Sequence, residues 1–443
     1  MRRALILALL LGGVALILPL GSGARAPYAL LTLGFLMLAA YTVAEIATAA
    51  KLPRVVGYLL AGIVFGPSLA NIVTVEASVT LAPVTSLAIS LIAFLAGAEL
   101  RWSEVRDRIA GILKILVSEL SLTLVLVFSV LVAMREFVPF LQGTSWTETF
   151  VFSLLFATIA IVHSPAVTLA ILSETKARGP LARTVLGTVL ISDVAVVLVF
   201  SMALAIAQAI APPAGFGAAV TAGTVAWELL GAIVVGAALG GAVSLYLRFV
   251  HKELFLFALL VTFLGAEVAR MLHVEVLLTL LTAGFVTENL SSEKLGFALR
   301  HAMERAADPV FVVFFALAGA SIRLEGLTQM WMFVIPLVLV RAAGIRFGCA
   351  IGARWAKLPD AERRHVWTGL VAQAGVAIGL AAVVAEVYPV RGAALSTLFL
   401  AVMAVNQLLG PILFKRGLAA AGELQPATAR PNPETVPAEA PAT

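Results

Sequence analysis

The sequence predicts an all-α polytopic membrane protein, and three observations carry that prediction. Of 443 residues, 61% are hydrophobic and only 12% are charged, whereas a soluble domain carries about 25% charged residues. Apolar stretches long enough to cross a bilayer recur along the chain with no soluble domain between them. Basic residues crowd into every second connection, the pattern that membrane insertion imposes. The composition excludes collagen-like, disulfide-rich and disordered classes. The net charge of +5 sits in short loops, so the expected environment is a lipid bilayer and no nucleic-acid partner is expected. Strand-length alternation is absent, which argues against a β-barrel.

Fourteen apolar segments are predicted, beginning 4–21, 28–50, 54–70, 79–98, 109–134, 147–172 and 181–211. They continue 218–247, 253–271, 274–290, 309–321, 329–353, 365–388 and 392–414. Residues 1–26 read as an extra transmembrane helix or a signal peptide. Met1-Arg2-Arg3, an apolar run and Gly21-Ser22-Gly23-Ala24 suit a signal, while the run is nearly long enough to span. Residues 27–421 form the membrane domain. Residues 422–443, with Pro426, Pro431, Pro433, Pro437 and Pro441 among Ala, Thr and Glu, cannot bury a core and are expected to be a disordered tail.

The basic sets are Lys51/Arg54, Arg101/Arg106/Arg108, Lys176/Arg178/Arg183, Arg248/Lys252, Lys294/Arg300/Arg305, Arg354/Lys357/Arg363/Arg364 and Lys415/Arg416. They place these connections and the C-terminus in the cytoplasm, across what is expected to be a bacterial inner membrane. Arg135, Arg323 and Arg391 break the alternation.

An ionisable residue inside a span is costly and therefore marks function. Those picked out are Glu45, His163, Asp193, Glu267, Arg270, Arg341, Arg346 and Glu386. Asp193 stands out, with apolar residues on both sides and too short a side chain to reach the interface. His163-Ser164-Pro165 interrupts the preceding span, because proline removes a helix hydrogen bond and frees carbonyls that can line a cavity. Arg341 and Arg346 are permanent cations suited to compensating a buried carboxylate. Glu267 and Arg270, three apart, suggest a local structural ion pair. Gly236 and Gly240 suggest a close helix contact. The single cysteine, Cys349, reads as a packed small residue and excludes a multi-cysteine metal site.

Three further stretches carry a resemblance. Leu52-Pro53-Arg54-Val55-Val56-Gly57-Tyr58-Leu59-Leu60-Ala61-Gly62-Ile63-Val64-Phe65-Gly66-Pro67-Ser68 resembles the N-terminal signature of the cation/proton antiporter superfamily, the Nha/Nhe/Kef type. Phe94-Leu95-Ala96-Gly97-Ala98-Glu99-Leu100 is similar to its next element, and Phe311 to Ala320 to its "FFxxxG" segment. The resemblance implies a thirteen-helix inverted-repeat fold, here with one extra N-terminal hydrophobic segment, with a core, a dimerisation subdomain and a homodimer. It implies two partly unwound crossing helices, for which 147–172 and 365–388 fit, broken at His163-Ser164-Pro165 and at Gln373-Ala374-Gly375. Asp193 matches the aspartate that binds the monovalent cation or the proton, and Arg346, with Arg341 as rival, matches the compensating basic residue. The chain departs from the family in having Ser192 before the aspartate, His163 where threonine is usual, and no acid between Ala372 and Ile378.

The implied activity is exchange of Na⁺ or K⁺ for H⁺ by alternating access. A bare charge in the cavity is costly, so cation and proton compete for Asp193. The hydroxyls of Ser192 and Ser164 and the carbonyls near His163 are the expected further oxygen ligands. Ser192 cannot ionise, and Glu267 is taken as the only other deep acid, so electroneutral exchange is expected. The alternatives are an uncoupled channel-like cation pathway and a transport-inactive membrane sensor on the same fold. No nucleophile–base pair, phosphate loop or cofactor motif appears, so neither an enzyme nor a cofactor is expected.

Overall fold

The computed structural model describes residues 25–212, 227–250, 254–373 and 376–424. The segment 4–21, residue Gly375 and most of the expected tail lie outside these residues. Among the described residues the chain is helical, with no strand. The helices are α1 (Arg25–Ala49), α2 (Arg54–Phe65), α3 (Ala82–Ala98), α4 (Ile109–Ala133), α5 (Trp146–Ala160), α6 (Pro165–Thr175) and α7 (Pro180–Ile210). They continue as α8 (Ala232–Phe249), α9 (Leu254–Met271), α10 (Val276–Leu290), α11 (Glu293–Ala320), α12 (Leu324–Trp355), α13 (Val376–Val387) and α14 (Pro389–Ala420). In lipid every backbone group needs an internal partner, and an unbroken helix supplies it without help.

The expected segments and the helices follow one order, with local differences. The helix expected over 309–321 begins at Glu293 and runs through Pro309. The connection after α2 holds a short helix, Val75–Thr80, whose first turn is capped by the Thr74 hydroxyl. The interruption at Pro165 is a full break. α5 ends at Ala160, and α6 restarts with Ser164 as N-cap and Pro165 at its first turn, where the missing N–H costs nothing.

Two apolar cores meet along α7. One packs α1, α2, α3, α6 and the first half of α7 against α10 and α11. The other packs α4, α5 and the second half of α7 against α12, α13 and α14. Gly236 and Gly240 lie against the backbone of Thr279 and Ala283 on α10, where any side chain would overlap it. On α12, Gly344 and Gly348 face Thr123 and Glu119 of α4 in the same way.

The basic connections gather at one end. Arg108 bonds Glu362 at 2.9 Å, Lys415 bonds Glu174 at 2.8 Å, and Arg101 bonds Glu288 at 2.7 Å. Glu423 reaches the first turn of α7 and accepts from the N–H groups of Leu181 at 2.6 Å and Ala182 at 2.9 Å. Two of the exceptional arginines have structural duties at the other end. Arg391 donates to the carbonyls of Phe140 and Gln142, and Arg135 lies 3.9 Å from the Trp146 ring centroid.

Candidate functional site

Asp193 lies near the middle of the long helix α7, about 20 Å from its first residue at ~1.5 Å per residue. Its Oδ1 is shut away from solvent and has no hydrogen-bond partner among the described residues. Two small, largely apolar cavities meet at its carboxylate. One is bounded by Ile92 of α3, Ser164 and Pro165 at the start of α6, Leu281 of α10, Phe314 of α11 and Val376 at the start of α13. The N-termini of α6 and α13 thus both end at the cavity that holds the carboxylate, and helix N-termini favour negative charge.

Behind this cavity the two broken spans cross. The second consists of a 3₁₀ turn, Val366–Leu370, and then α13. A break frees carbonyls that must find donors. Arg341, 1% exposed, supplies most of them. Its guanidinium donates to Ala160 O at 2.6 Å and Val162 O at 2.9 Å in the first break. It donates to Val371 O at 2.6 Å and Leu370 O at 3.5 Å in the second. The Gln373 amide donates to Ala160 O at 3.1 Å and accepts from Asn406 of α14 at 2.8 Å.

His163 completes the crossing. Its Nδ1 stands 2.7 Å from Leu370 O and its Nε2 stands 3.1 Å from Glu119 Oε2. A carbonyl only accepts, so Nδ1 carries a proton. Nε2 and a carboxylate oxygen bond only if a proton lies between them. Glu119 and His163 therefore share one proton, drawn either as imidazolium–carboxylate or as imidazole–carboxylic acid. The Thr123 hydroxyl donates to the other Glu119 oxygen at 2.9 Å, and both Glu119 and His163 are fully buried.

Several sequence expectations are relocated by this geometry. Ser164 lines the Asp193 cavity, with its Oγ accepting from Val167 N at 3.3 Å. Ser192 turns back along its own helix and donates to Val189 O at 2.7 Å, and it does not line the Asp193 cavities. His163 likewise points away from them, toward α4. The expected pairing of Arg346 or Arg341 with Asp193 is absent among the described residues. Arg341 is held by carbonyls, and Arg346 lies 5.7 Å from the Trp367 ring centroid. Gly375 falls outside the described residues, while the neighbouring Gln373 is fully buried at the crossing.

Glu267 and Arg270 pair within α9, each side chain 44% exposed, so Glu267 is not the deep acid it was taken for. Glu119 and Glu275 are acids that the sequence reasoning passed over. Glu119 met the same criterion as Asp193, an acid flanked by apolar residues within a span. Glu275 sits at the very start of its segment and reads as a boundary residue. The buried amides of Asn406 and Gln407 carry no charge to draw notice.

The comparisons agree with this architecture. The family described as "Sodium/hydrogen exchanger, transmembrane" matches residues 34–416. The Na(+)/H(+) antiporter NhaP of Pseudomonas aeruginosa is 31% identical over 146 residues, which are 32% of this chain and 34% of that protein. The match thus spans about a third of the length of that curated relative. The sodium proton antiporter MjNhaP1 of Methanocaldococcus jannaschii superposes in its structure at pH 8 with a TM-score of 0.66, at 17% identity, covering 90% of this chain and 99% of that one. Its electron-microscopy structure superposes with a TM-score of 0.72, at 17% identity, covering 89% and 98%. The helices share the antiporter fold, and with a family match across most of its length this chain belongs to the sodium/hydrogen exchanger family of integral membrane transporters.

Proposed function

We propose that the protein exchanges a monovalent cation, Na⁺ or K⁺, for H⁺ at Asp193 by alternating access. The observation that carries this is a buried, unpartnered carboxylate oxygen in a cavity onto which two helix N-termini open. A hard cation takes oxygen ligands, and Asp193 with Ser164 offers them at that cavity. A proton on Asp193 removes the charge that holds the cation, so the two ligands exclude each other. Either one neutralises the carboxylate, whereas the bare anion is costly to carry across lipid.

The reading is electroneutral, one proton against one cation. Glu119 is a second deep acid, but its proton is already shared with His163 and pinned between α4 and the crossing. Glu275 is engaged as the N-cap of α10, which leaves Asp193 to titrate with the cargo. A homodimer, a bacterial inner membrane and a cytoplasmic C-terminus complete the proposal, the last resting on the basic connections gathered at one end.

Proteoliposomes with Na⁺, K⁺ or Li⁺ gradients and a trapped pH dye test it. The expected result is cation-driven proton flux that falls to background in Asp193→Asn, with the variant still folded. Proton leak without cation dependence would mean an uncoupled pathway, and no flux at all would mean a sensor. Unimpaired exchange by the variant would remove Asp193 from the mechanism.

A further inference from the structure

The second cavity at Asp193 adjoins the first and shares Leu277, Leu281 and Val376 with it. It lies between α7 and α10, walled by Leu190, Val194 and Val197 on one side and by Leu277, Leu278 and Leu281 on the other. Among the described residues its only polar lining groups are Asp193 and Glu275. Glu275 is the N-cap of α10, and its carboxylate accepts from the N–H of Leu278. Its backbone N–H donates to Glu228 O at 3.1 Å, so the carboxylate-bearing residue Glu228 is its neighbour in space.

The direction of this cavity follows from the helix that carries it. α10 has fifteen residues and is about 22 Å long at ~1.5 Å per residue. At its far end Glu288 binds Arg101, and Leu290 O accepts from Arg248, both in basic connections. Glu275 is therefore at the end of α10 opposite those connections. On the basic face a wide vestibule is lined by Glu99, Arg101, Lys176, Arg178 and Arg183. Basic residues thus lie toward one end of the bundle, and an acid lies beside Asp193 toward the other. A monovalent cation needs attraction most on a route whose remaining walls are apolar, and a carboxylate there concentrates it.

We propose that Glu275 is the access-side carboxylate of the transport path, met by a monovalent cation before Asp193 when it enters from the face opposite the basic connections. This inference rests on the exchange reading above and adds a second acid, which sets cation affinity on one face only. Neutral substitutions that keep the helix cap isolate the charge. In Glu275→Gln the amide oxygen still accepts from Leu278, and serine, another N-cap former, serves in Glu275→Ser.

The experiment compares right-side-out and everted vesicles bearing wild type, Glu275→Gln or Glu275→Ser, with Na⁺ titrated from the outside of each. The expected result is a KM raised about five- to tenfold on the Glu275 face, with the maximal rate and the opposite-face KM within about twofold of wild type. If one variant fails to reach the membrane, the other decides. Equal changes on both faces, or none on either, would overturn the inference and leave exchange at Asp193 standing. Wild-type vesicles without cation-dependent proton flux would overturn both.

Discussion

The shared proton between Glu119 and His163 makes the two positions unequal in what they tolerate. Glutamine at position 119 still presents an N–H to Nε2 while Nδ1 keeps its bond to Leu370. Alanine leaves the imidazole nitrogen buried without a partner. Glu119→Gln is therefore expected to lose under about 1.5 kcal/mol and Glu119→Ala about 3–5 kcal/mol, as read by thermal unfolding in detergent. A proton held in this way is not cargo, so the pH profile of Glu119→Gln should overlay that of wild type. At Arg341 the donors are spent on carbonyls of both breaks, and lysine, a point charge, cannot span them. Arg341→Lys is expected to be markedly less thermostable. Asp193→Asn should not rescue Arg341→Ala, and a double-mutant cycle between them should close within about 0.5 kcal/mol. A larger coupling would mean that the arginine answers to the aspartate after all.

The elements owe their positions to contacts that are remote in sequence. Glu423 caps α7 from beyond the last helix, replacing a local cap that Gly179 and Pro180 do not supply. A chain ending at Gly422 should therefore lose about 1 kcal/mol relative to one ending at Leu424, measured by melting temperature. The break after α5 was legible because proline leaves a mark in any sequence. Asp193 was legible because a lone acid in an apolar run costs too much to sit there without a task. The partners were not legible. Nothing local says that Arg341 turns to carbonyls rather than to Asp193. That choice was made by the glycines of α12, which bring α4 and its Glu119 into contact and seat the arginine beside both breaks. The second break was legible only through resemblance, since residues 371–373 carry no proline and little polarity.

For the whole molecule the alternation of basic connections foretold how the helix ends are sorted, because insertion acts on the charges the sequence displays. It said nothing of the acids that share a cavity, Asp193 and Glu275, which are brought together only by folding. The proposed electroneutrality is tested at this larger scale. With pH and cation gradients fixed, an imposed membrane potential should drive no net cation accumulation into proteoliposomes. Accumulation would show that a second proton moves. The Arg341 clamp has a mechanical consequence. One guanidinium ties both broken spans to α12, so under the alternating access proposed above these elements would move together. The surface on which such a block would slide is the apolar seam where Ile92, Leu277, Leu281 and Phe314 meet Asp193 and the start of α6. Such a seam has no directional bonds to break, and a cysteine bridge across it should halt exchange, whereas one within the riveted block should leave exchange running.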